Sequence, residues 1–123
     1  MFEKIKKLFQ RGATRSKPGP KDWYVHGRVT GSDGLGVPNL RVSIYDKDLL
    51  FDDRLGEVTT GPTGEFHCMY RSEDFKDLFQ TKPDLYVKVL NQNNQVLYSS
   101  ESAIRIKSER VERFDIKLDK DPY

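Results

Sequence analysis

Residues 25–70 read VHGRVTGSDGLGVPNLRVSIYDKDLLFDDRLGEVTTGPTGEFHCMY, and this stretch decides the fold. Short runs of alternating apolar and polar residues are separated by turns rich in Gly, Pro and Asp. In a β-strand successive side chains point to opposite faces, so such alternation marks strands with one buried face. Val25, Gly27 and Val29 share one parity, as do Leu40, Val42 and Ile44, and again Phe66, Cys68 and Tyr70. Between the second and third of these runs lie four aspartates within eight residues: Asp46, Asp48, Asp52 and Asp53.

Working outward, the same period extends back to Trp23, with Tyr24, His26, Arg28 and Thr30 on the opposite parity. A third strand is expected over Leu55 to Thr60, followed by the turn TGPTG, whose glycines can adopt positive φ. After Tyr70 the pattern changes. In SEDFKDLF, Ser72 is an N-cap candidate, Glu73 and Asp74 suit a first helical turn, and Phe75, Leu78 and Phe79 form an apolar stripe. Pro83 then separates this short helix from a fifth strand at Leu85–Leu90. NQNN turns the chain into a sixth at Val96–Ser99. Ile104 and Ile106 are candidates for further pairing, and Phe114, Ile116 and Leu118 alternate in a seventh strand. Seven short strands with one intervening helix predict an all-β, seven-stranded antiparallel sandwich.

The 123 residues suffice for one domain that needs no disulfide or structural metal to hold it. With 36% hydrophobic and 33% charged residues the core must be small, and the 11% aromatic share adds to it disproportionately. Cys68 is the one cysteine, so neither an internal disulfide nor a Cys-based zinc site can form within the chain. Its parity with Phe66 and Tyr70 makes it a buried small hydrophobe rather than a reactive thiol.

Charge is unevenly spread. Residues 1–22 hold seven Lys and Arg against Glu3 and Asp22, or +5, while residues 23–123 hold fourteen against seventeen, or −3. A basic leader on a mildly acidic body, without interleaved surface aromatics, argues against nucleic acid as a partner. Within the leader, Phe2, Ile5, Leu8 and Phe9 recur at helical spacing with Lys4 and Lys7 on other faces. The expectation is a short amphipathic helix, suited to a protein partner or a membrane surface. The linker RGATRSKPGPK follows. The domain reading is therefore 1–22 as amphipathic segment and linker, 23–119 as sandwich, and 120–123 as tail. No secretory or membrane-spanning segment is evident, and a cytoplasmic location is expected.

The segments GRVTGSDGLGVPNLRVSIYDKD and LGEVTTGPTGEF together resemble the transthyretin-like and carboxypeptidase-regulatory-like sandwich domains, over about residues 24–118. The resemblance implies a sandwich with a helix between its fourth and fifth strands, used in many settings as a carrier, spacer, accessory or enzyme. Two enzymatic branches can be tested by residue. Hydroxyisourate hydrolases end in Tyr-Arg-Gly-Ser, whereas this chain ends KLDKDPY. Intradiol dioxygenases hold iron with two tyrosines and a closely spaced histidine pair, whereas His26 and His67 lie in separate strands and no His-x-His occurs. No catalytic constellation is visible.

The expected function is thus a non-enzymatic interaction or accessory module that binds a protein partner and can self-associate. It requires no cofactor. The alternative is a Ca²⁺-responsive module. Asp46, Asp48, Asp52 and Asp53 would supply carboxylate oxygens of the kind Ca²⁺ takes, and the N-terminal residues would contact a membrane. Against this stands the ordinary use of aspartates to cap turns and solvate a loop, with Lys47 and Arg54 as neutralising partners.

Overall fold

The computed structural model describes residues 22–48, 51–71 and 82–123, and within them the chain forms seven strands in two facing sheets. The strands are β1 (Asp22–Thr30), β2 (Arg41–Asp46), β3 (Asp53–Thr59), β4 (Glu65–Arg71), β5 (Leu85–Leu90), β6 (Val96–Ser99) and β7 (Val111–Lys117). One sheet has the order β4-β1-β7 and the other β3-β2-β5-β6. Both expected helices, the N-terminal one and that over residues 72–79, fall outside the described residues.

One pairing departs from the all-antiparallel expectation. β7 lies parallel to β1, with Gly27 opposite Phe114 and Val29 opposite Ile116. Alternation reveals which face of a strand is buried but carries no information about its direction, so Phe114, Ile116 and Leu118 would read the same either way. A second departure concerns Ile104 and Ile106. Ser100 to Ala103 make a tight turn, and only Arg105 bridges, to Leu85.

The core sits between the sheets. Val25, Val29, Val42, Ile44, Leu85, Val87 and Val89 are wholly buried, and Trp23, Phe66, Tyr70, Leu97, Phe114, Ile116 and Leu118 close around them. Each such aliphatic side chain contributes about 1.5–3 kcal/mol by leaving water. Cys68 is buried among them, as its parity requires. Burial in this core pushes the Tyr70 hydroxyl pKa well up.

Two glycines make the sandwich closable. At Gly27 a Cβ would lie 1.8 Å from the carbonyl oxygen of Phe114, so only glycine lets β7 approach β1 here. Gly64 turns with φ +84° beneath the Val29 carbonyl, the left-handed conformation that glycine adopts without penalty. Thr60 locks the adjoining loops: its buried hydroxyl donates to the Val37 carbonyl (2.7 Å) and accepts from the Leu40 amide (3.0 Å).

Candidate interaction face and the aspartate loop

Alternation in β1 sends Trp23, Val25, Gly27 and Val29 inward and Tyr24, His26, Arg28 and Thr30 outward. Because β1 is the central strand of its sheet, Tyr24, His26 and Arg28 each acquire a neighbour on both sides. Register then fixes three cross-strand rows. The first is Met69–Tyr24–Val111, the second His67–His26–Arg113, and the third Glu65–Arg28–Asp115. The outer face is thus graded from apolar, through imidazole and guanidinium, to an ordered set of opposite charges.

Contacts within the rows are specific. The Tyr24 ring stacks on His26 at 5.2 Å between centroids and 22° between planes, and on His67 at 6.3 Å and 30°. Arg113 donates through Nε to both carboxylate oxygens of Asp115, at 3.0 and 2.9 Å. That pairing raises the Arg113 pKa and lowers that of Asp115. Arg28 donates through Nε to the Thr63 carbonyl at 2.7 Å.

Partial burial holds the Tyr24 hydroxyl above its ordinary pKa. His26 is held below the usual histidine value, first by burial and then by the Arg113 charge, with Asp115 opposing and His67 adding a smaller repulsion. Both causes favour the uncharged form of the His26 imidazole. Val111 is half exposed, and Arg71 and Lys117 flank the rows.

The aspartate loop is arranged quite differently from a chelating loop. Asp46 is 1% exposed and accepts the Asp84 amide at 2.9 Å, tying the end of β2 to the start of β5. Asp52 accepts the Tyr86 hydroxyl at 2.5 Å on one oxygen and the Asp48 amide at 3.1 Å on the other. Lys47 spans Asp52 (3.5 Å) and Glu101 (3.0 Å). The Tyr86 bond is the chief cause of a lowered Asp52 pKa, with the Asp48 amide and Lys47 adding to it. The same bond, after burial, pushes the Tyr86 hydroxyl well up.

Tyr86 stacks in turn on Tyr45 at 5.0 Å, with Lys88 over the Tyr45 ring. Asp48 and Asp53 face solvent. Among the described residues no three His, Cys, Asp or Glu side chains are placed to hold a metal ion. The shared parity of Asp46 and Asp48 does not put them in one environment, because the strand ends at Asp46: Asp46 is buried at that end, whereas Asp48 lies beyond it and is exposed. The expected partner- or membrane-contact residues Phe2, Lys4, Ile5, Lys7, Leu8 and Phe9 lie outside the described residues.

The row of two histidines is the feature that reading along the chain does not reveal. Each was legible as outward-facing, flanked by inward Val25 and Gly27 or Phe66 and Cys68. Their pairing was not, because two strands of the other sheet intervene in sequence.

No family model matches the chain, and no curated protein does. Among solved structures it is similar to a 9R-lipoxygenase from Cyanothece at 24% identity and a TM-score of 0.54, covering 96% of this chain and 20% of that one. It is also similar to the dioxygenase domain of a dioxygenase–carbohydrate-binding protein fusion from Streptomyces. There the identity is 18% and the TM-score 0.50, covering 86% of this chain and 84% of that one. The chain therefore spans about a fifth of the lipoxygenase. At these identities the likeness establishes a shared all-β architecture and nothing about chemistry.

Proposed function

We propose that this chain is a non-catalytic, transthyretin-like sandwich module that docks a protein partner on the outer face of the β4-β1-β7 sheet. The row arrangement of that face carries the reading. Interface centres are enriched in Tyr, Met and Arg relative to other surface, and energetic anchors are commonly Tyr and Arg. Here Tyr24 stands between Met69 and Val111, with Arg28 and Arg113 in the next rows of the same strands. Arg28, Arg71, Arg113 and Lys117 outnumber Glu65 and Asp115, which favours a partner with an acidic rim.

The Ca²⁺ alternative gains no support from the loop geometry, since Asp46 and Asp52 are already committed to Asp84, Tyr86 and Lys47. Photo-crosslinking tests the docking reading. With a photoreactive residue at Val111, extracts of the source cells should yield a discrete conjugate that disappears on Tyr24→Ala. Conjugation that survives Tyr24→Ala and Arg113→Glu, with the fold intact by circular dichroism, would remove this face from the proposal. Sedimentation of the full chain, with and without the same substitutions, reports whether the partner is a second copy.

A further inference from the structure

The chain contains two histidines, and the fold sets them directly opposite one another across β1 and β4. We propose that His26 and His67 together bind a late first-row divalent metal ion, Cu²⁺ foremost, with solvent completing the coordination.

Geometry carries this assignment. Directly opposed residues of an antiparallel pair have Cβ atoms roughly 4.5–5.5 Å apart and point the same way. That span lets two imidazole nitrogens converge on one ion at bond lengths of about 2.0–2.1 Å, values set by Zn²⁺ sites. Both side chains leave the outer face, His67 exposed and His26 partly so, and water therefore has access to the remaining positions. Tyr24 lies against both imidazoles and limits their rotation.

Arg113, on the other side of His26, would oppose a cation. Its Nε is bound to both oxygens of Asp115, which offsets that charge.

Donor type selects the metal. Two imidazoles without a carboxylate suit Cu²⁺, Ni²⁺ and Zn²⁺ and leave Ca²⁺ and Mg²⁺ unsatisfied, and Cu²⁺ heads the affinity order for such sites. The site is open, with two protein nitrogens, and so differs from a structural cage. Cys68 is buried at 7% exposure on the inner face and cannot join it. The proposal does not rest on partner docking, and either can fail alone.

The test is a Cu²⁺ titration of the full, untagged chain at neutral pH by calorimetry, with the Cu²⁺ electron paramagnetic resonance spectrum recorded at one equivalent. The expected result is one saturable site whose spectrum shows two imidazole nitrogens. His26→Ala and His67→Ala should each weaken binding by at least about tenfold, the lower end of what losing even a supporting outer-shell partner costs. Ca²⁺ and Mg²⁺ should give no binding heat. His26→Asn and His67→Asn, with melting temperatures compared to the parent, guard against misfolding. Unchanged affinity in either folded variant, a spectrum with fewer than two imidazole nitrogens, or no saturable binding would each overturn the proposal.

Discussion

Replacing Gly27 by alanine attacks the sandwich at its narrowest point. The new Cβ would sit 1.8 Å from the Phe114 carbonyl oxygen, 2.7 Å from its carbon and 3.0 Å from Cζ of Phe66. Ordinary contact starts near 3.4 Å, so β7 must retreat by about 1.6 Å or β1 must rotate. A backbone bond of about 2.9 Å lengthened by that much no longer qualifies as one. Losing two bonds flanking Gly27 removes about 2 kcal/mol. Overpacking adds about 2 kcal/mol more. The expected loss is therefore about 4 kcal/mol, a large share of the roughly 5–15 kcal/mol available to a domain.

Urea denaturation at constant m-value measures this loss directly, and a melting-point drop of about 15 °C should accompany it. Gly34→Ala is the matched control. Gly34 has φ +84° but nothing within 4 Å of its added Cβ. It should cost only the left-handed strain of about 1 kcal/mol. A Gly27→Ala loss below about 1 kcal/mol would refute both the tight β1–β7 approach and the Gly27–Phe114 register.

Further consequences follow from the loop and the face. Asp52 has a folded pKa below its unfolded value, so its stabilisation is present above the ordinary carboxylate range and is lost as pH falls through the folded pKa. Tyr86→Phe removes the main cause, and its urea-derived stability should fall less steeply than the parent's between about pH 5 and 3. His26, also lowered, acts in a higher window. Protonation favours the unfolded chain, so stability should decline as pH drops below about 6.5, and His26→Gln should flatten that decline. Asp46→Ala removes a buried carboxylate and leaves the partly buried Asp84 amide without that acceptor, and should cost about 1–3 kcal/mol in the same assay. A loss within 0.5 kcal/mol would mean that water replaces the carboxylate.

Faces of strands were legible in this sequence, while relations between strands were not. Trp23, Val25 and Val29 inward, Tyr24 and His26 outward, and Cys68 buried beside Phe66 all follow from a period of two. The turn at TGPTG and the strand starts at Leu85 and Val96 follow from Gly, Pro and Asn chemistry. The direction of β7 and the His26–His67 pairing depend on which distant strands become neighbours, and a single chain's alternation does not encode that. The aspartate loop shows the opposite limit. Its composition matched a chelating loop, yet Tyr86 and Asp84, more than thirty residues away, claim the carboxylates.

The parallel seating of β7 against β1 also sets a timetable. β1 is the first described strand to leave the ribosome, yet one of its edges waits for Val111–Lys117, about ninety residues later. β2 with β3 and β5 with β6 can pair as near neighbours in sequence, so their sheet has the lower entropic barrier to assembly. During synthesis the Tyr24 and His26 strand is thus an incomplete sheet edge, of the kind that invites pairing with the wrong chain. A chain stalled before Val111 should remain protease-sensitive through β1, and release past Lys117 should protect it.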